Sequence, residues 1–175
     1  MSKSVFCIAT TQGQAERIVD RLQSQGFAAS EISVLMPDTA GKTGDFGHVK
    51  STKASEGVTA GTTTGGVVGG TLGLLAGIGA LAIPGVGPFI AAGPIMAALS
   101  GAAIGATTGG LVGGLIGLGI PEIEAKRYED KLKKGNYLIS AHANDDDQLD
   151  RAKDIFKAEK AEDISTVSEA TAPTA

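Results

Sequence analysis

The chain has 175 residues, including 26 glycines and no tryptophan, and its formal net charge is −4. The acidic balance argues against a nucleic-acid partner, because binding to phosphates needs clustered lysine and arginine side chains. The single cysteine, Cys7, excludes an intrachain disulfide and favours a reducing compartment such as the cytoplasm.

Residues 1–36 predict a β-α-β unit. Val5–Ala9 is a short apolar run typical of a buried strand, and Thr11 with Gln14 forms the capping-box pattern that precedes a helix. Gly26 stands where a left-handed residue ends a helix, and Glu31–Met36 alternates as a second strand. The apolar face of the predicted helix consists of Ala15, Ile18, Val19 and Leu22.

The same pattern returns in residues 122–168. Tyr137–Ala141 predicts a strand, a helix begins within residues 144–147, and Asp163–Val167 predicts the last strand. Two such units, joined through an antiparallel central pair, make a ferredoxin-like split β-α-β domain of the α+β class, with a four-stranded sheet and two or three helices. The second helix is expected to bury Leu149, Ala152, Ile155 and Phe156.

A third helix is predicted between the middle of the chain and the second half of the domain. Pro121 suits a first helical turn and Gly135 a helix end, with Ala125, Tyr128 and Leu132 directed inward. Residues 37–56 have the composition of a polar connector, and residues 169–175 that of a disordered tail.

The middle of the chain, Gly57–Pro121, contains no Asp, Glu, Lys or Arg over 65 residues. Its proline- and glycine-rich centre separates Val58–Ile83 from Ile95–Ile120, and each segment would be about 39 Å long as a helix, more than the roughly 30 Å of a bilayer core. The composition therefore predicts a helical hairpin inserted into the α+β domain. The residues assigned to its turn are Pro84, Gly85, Gly87, Pro88, Gly93 and Pro94.

Both hairpin segments carry glycine at strict intervals of four residues. Such spacing puts the glycines in a stripe on one helix face, where a second helix backbone can approach closely. The pattern predicts two glycine zippers that pack helices against each other. The proposed packing residues are Gly57, Gly61, Gly65, Gly69, Gly73, Gly77, Gly101, Gly105, Gly109, Gly113 and Gly117.

Both flanks of the hairpin are basic, which places both termini on the cytoplasmic side of a membrane under the positive-inside rule. A lipid bilayer is therefore one expected partner, and further copies of the chain are another. The alternative is a homo-oligomer in the cytoplasm whose hairpins form a shared helical core. The flanking cations are Lys42, Lys50, Lys53, Lys126, Arg127, Lys131, Lys133 and Lys134.

The residues that could carry chemistry form no recognisable constellation. His48 and His142 have no cysteine or carboxylate nearby in the sequence at metal-ligand spacing, and Cys7 lies in a strand pattern that predicts a buried, inert thiol. We therefore expect no catalytic residues, no metal, no cofactor and no enzymatic activity.

The chain resembles the heat-induced, YflT-like general stress proteins of bacteria. The resemblance lies in the opening Val5–Met36, in the central block Gly77–Pro94 and in residues 119–122, and it covers most of the chain. It implies a stress-linked bacterial protein without catalytic residues.

These expectations combine into three hypotheses of function. The first is a membrane-associated structural or adaptor protein that self-associates through its glycine-zipper hairpin. The second is the homo-oligomeric assembly in the cytoplasm, and the third is a regulatory domain that senses a ligand on its sheet. Neither a particular protein partner nor a ligand follows from the sequence.

Overall fold

The computed structural model of the chain describes residues 3–37, 79–83, 87–93 and 110–168. These residues form an α+β fold with one antiparallel sheet and four α-helices. The strands are β1 (Lys3–Ala9), β2 (Ile32–Pro37), β3 (Gly79–Ile83), β4 (Gly87–Ala92), β5 (Tyr137–Ala143) and β6 (Glu162–Ser168). The helices are α1 (Gln12–Ser24), α2 (Gly110–Gly117), α3 (Glu122–Lys133) and α4 (Asp146–Ala158).

The sheet order is β3-β4-β2-β5-β1-β6. The two strands of the first half, β1 and β2, lie on either side of β5, and every neighbouring pair is antiparallel. The chain therefore interleaves its two halves in one sheet, so neither half can complete the sheet alone.

Helices α1 and α4 cover one face of the sheet, and both begin with side-chain caps. Thr11 accepts a hydrogen bond from the Gln14 backbone N–H, and Asp145 does the same for Gln148. In a capping box the reciprocal bond joins the third helical side chain to the N–H of the cap residue itself. Here the side-chain Oε1 of Gln14 instead accepts from the N–H of Thr10, one residue before the cap. The buried faces predicted for both helices are confirmed.

Helices α2 and α3 cover the opposite face. Leu111 and Leu115 of α2, with Tyr128 of α3, join Phe6 and Leu138 of the sheet in a second buried cluster. The central strands are therefore buried on both faces, which explains why β2 is apolar at almost every position rather than only at alternate ones.

The prediction that Val58–Ile83 is a helix is wrong for its last five residues. Gly79–Ile83 forms β3, and Gly87–Ala92, which includes the predicted turn residues Gly87 and Pro88, forms β4. The period-of-four glycine pattern stops at Gly77, because Leu81 stands where the next glycine would fall. Beyond that point β2 offers an edge to which β4 pairs through Val34–Pro37, and β3 pairs with β4. Backbone pairing along this edge therefore decides the structure of Gly79–Ile83.

The predicted second helix, Ile95–Ile120, is helical over Gly110–Gly117 in the part that the structure describes, and it ends three residues earlier than predicted. Helix α2 ends at Gly117, and Gly119 takes a left-handed φ of 94° while its N–H bonds to the Ile116 carbonyl. This is a Schellman-type end. In the ranges that the structure describes, no helix is both long enough and apolar enough to cross a membrane.

Candidate interaction surface

Helix α2 has two different faces. Leu111, Gly114 and Leu115 are buried against the sheet layer, whereas Ile116 and Gly117 are exposed and Gly113 is partly exposed. We call Gly113, Ile116 and Gly117 the glycine face. Because Leu111 and Leu115 lie in the core of the domain, the orientation of α2 is fixed and its glycine face points away from the sheet.

The two glycines of this face have no close neighbour among the described residues. A Cβ atom added at Gly113 or Gly117 would meet no heavy atom of these residues within 4 Å, and neither glycine has a positive φ. The described part of the fold therefore needs glycine at neither position for packing or for backbone conformation. Gly119 differs, because its φ is positive and an added Cβ would lie 3.0 Å from a methyl group of Val167.

Two large apolar side chains are exposed at the corner between α2 and α3. Ile116 is 43% exposed in the last turn of α2, and Ile123 is 75% exposed in the first turn of α3. Neither residue belongs to the packing or turn residues predicted from the sequence. The exposure of Ile123 could have been predicted, because it stands between Glu122 and Glu124 on a helix whose inward face was already assigned to other residues.

The structure places only some of the residues predicted to pack helices or to form the turn. Gly113 and Gly117 lie on one face of α2, and their role in helix packing stays a prediction. Gly93 follows β4 as a buried residue with a φ of 93°. The remaining predicted packing glycines, Gly57, Gly61, Gly65, Gly69, Gly73, Gly77, Gly101, Gly105 and Gly109, lie outside the described residues, as do Pro84, Gly85 and Pro94.

Carboxylates pair with the basic side chains that follow the insertion. Lys126 bonds to Glu122 at 2.6 Å and Lys133 to Glu129 at 2.6 Å, both within α3. These pairs reduce the net positive charge that the sequence suggested for this flank. A bilayer would accordingly meet a corner of α2 and α3 whose charges are largely paired, not a polybasic surface.

Two further cations of α3 join it to β6. Arg127 lies 3.2 Å from the Asp163 carboxylate, and Lys131 bonds to Glu162. The Tyr128 hydroxyl donates to the Asp163 carbonyl at 2.8 Å, and its oxygen lies 2.6 Å from the Ser165 hydroxyl. The pairing of β6 with β1 shifts its register between Ser165 and Glu162, and Asp163 lies in this irregular part with a φ of 50°. These contacts hold α3, and with it the corner next to the glycine face, on the sheet.

The reactive side chains of the described residues are buried or dispersed. Burial raises the pKa of the Cys7 thiol well above its usual value, so this fully buried side chain stays protonated and inert, as predicted. Burial also raises the pKa of Tyr128. Within these residues, no three His, Cys, Asp or Glu side chains are grouped closely enough to hold a metal ion.

Comparisons with known proteins leave the family open. No protein-family model matches the chain, and no curated protein or solved structure is significantly similar to it.

Proposed function

We propose that this chain is a non-enzymatic structural or adaptor protein that self-associates through the glycine face of its charge-free insertion. The observation that carries the proposal is that the described residues leave Gly113 and Gly117 uncovered, on a helix whose opposite face is packed in the core. A second helix lying on this face would approach the α2 backbone closely, as small residues allow.

The energetics of glycine support a contact at this face. Each glycine inside a helix costs about 1 kcal/mol relative to alanine, and two of them stand in the eight residues of α2 without a packing reason in the described fold. Close approach of another backbone, with van der Waals and Cα–H···O contacts, would offset this cost. The neighbouring exposed side chain of Ile116 would be buried by the same contact.

The test is the mass of the particle formed by the wild-type chain and by a Gly113→Gln/Gly117→Gln variant. Glutamine is a good helix former and adds bulk without adding apolar surface, so α2 should be retained or stabilised, by up to about 1 kcal/mol per position. We expect the wild-type chain to form oligomers in light scattering, and the variant to associate at least tenfold more weakly.

Gly13→Gln in α1 is the matched control, because it places the same side chain on an exposed helical glycine outside the insertion. This control should associate like the wild type. A monomeric wild-type chain, or a double variant that associates as strongly as the control, would rule out the proposal. Circular dichroism of each variant establishes that the fold is intact.

A location at the cytoplasmic membrane is the second part of the proposal. It is supported by the absence of charge from Gly57 to Pro121, by exposed Ile116 within that stretch and by exposed Ile123 just after it. Alkaline carbonate washing of membranes from expressing cells tests it. Retention in a pellet that dissolves in mild detergent supports membrane association, whereas release as a uniform particle supports a homo-oligomer in the cytoplasm with a shared helical core.

The ferredoxin-like assignment also belongs to this proposal. It is supported by the order β6-β1-β5-β2, antiparallel throughout, with α1 and α4 on one face. The opposite face is covered by α2 and α3, which leaves less of the sheet open to the ligand that the sensing hypothesis requires. A small molecule that raises the melting temperature of the full chain would favour sensing instead.

Membership of the YflT-like general stress proteins is proposed on the sequence blocks alone. It predicts that the amount of this protein rises when its host cell is heated. An unchanged amount would count against the stress role and would leave the test of self-association unaffected.

A further inference from the structure

We draw no further inference here: the strongest candidate, the exposed apolar corner formed by the glycine face of α2 and Ile123 of α3, belongs to the surface on which the proposed function already rests, and nothing in the described residues shows what covers it.

Discussion

Left-handed residues end the four α-helices that the structure describes, and one of these residues is not glycine. Helices α1, α2 and α3 end with Gly26, Gly119 and Gly135 at φ values between 90° and 94°, whereas α4 ends with Lys160 at a φ of 57°. The N–H of Lys160 bonds to the Lys157 carbonyl, three residues earlier. In each of the other three helices the N–H of the terminal glycine likewise bonds to the carbonyl three residues before it. A side chain at such a position costs about 1–2 kcal/mol.

Lys160→Gly should therefore stabilise the fold by about 0.5–1 kcal/mol, after the greater flexibility of glycine in the unfolded chain is subtracted. Gly26 holds the position after α1 that Lys160 holds after α4. The reverse change there, Gly26→Lys, should destabilise the fold by about 1 kcal/mol. Urea unfolding of both variants checks the pair. Equal stabilities for Lys160→Gly and the wild type would contradict the account of this turn.

Gly93 has a stricter requirement than Gly26, although both have a φ of 93°. A Cβ at Gly93 would collide with the Ile32 carbonyl oxygen and with Ser33, whereas a Cβ at Gly26 would meet nothing within 4 Å. Gly26→Ala should cost about 1 kcal/mol, from the backbone alone. Gly93→Ala should cost at least about 2 kcal/mol more, because β2 or β4 must shift. Thermal unfolding of the two variants measures the difference, and equal losses would mean that the approach of Gly93 to β2 is not required.

The Tyr128 hydroxyl is one of the contacts that attach helix α3 to strand β6. Tyr128→Phe removes its hydrogen bond to the Asp163 carbonyl and its contact with Ser165, and should destabilise the fold by about 1–2 kcal/mol. Tyr137→Phe is the control, because the described structure shows no hydrogen bond to that hydroxyl. A loss equal to that of the control would contradict the attachment.

The stability of the wild type and that of Tyr128→Phe should depend differently on pH. Burial raises the pKa of Tyr128 in the folded state, so folding favours the neutral phenol. Its contribution to stability is complete below the unfolded pKa near 10 and is lost as the pH rises toward the folded value. The stability of the wild type should fall more steeply than that of Tyr128→Phe above about pH 10, in urea unfolding measured from pH 8 to 11. Parallel curves would show that this phenol is not buried in solution.

The elements of the outer halves could be predicted from the sequence because their signals are local. Thr11 and Asp145 cap helices, and Gly26 and Gly135 end them, wherever the rest of the chain lies. The strand pair β3 and β4 could not be predicted in this way. Whether Gly79–Ile83 becomes helix or strand depends on the free edge of β2, which the chain creates only when the sheet has formed.

The two faces of the sheet also differ in how far local sequence patterns predict which residues they bury. The face under α1 and α4 follows from the alternation of Ile32, Val34 and Met36. The burial of Leu35 on the other face depends on α2 and α3, whose position over the sheet no local pattern indicates. For the glycine face, the spacing of Gly113 and Gly117 predicted one helix face, but only the packing of Leu111 and Leu115 shows that this face points outward.

The molecule as a whole combines a six-stranded sheet, covered by helices on both faces, with a charge-free insertion that contributes elements to the domain itself. Strands β3 and β4 extend the sheet and α2 covers it, so the insertion and the domain are not independent parts. A contact at the glycine face would thus stabilise the sheet as well, because α2 packs on it. If the chain associates through this face, its melting temperature should rise as the protein concentration is raised.

Photo-crosslinking from the glycine face tests self-association through α2 without any change to its glycines. A benzophenone amino acid at Ile116 is irradiated in the full-length protein, with the same group at the exposed Ser24 of α1 as control. The account predicts a covalent product of twice the 17.5 kDa chain mass from position 116 and little from position 24. Equal yields from the two positions, or no product of that mass from position 116, would contradict self-association through α2.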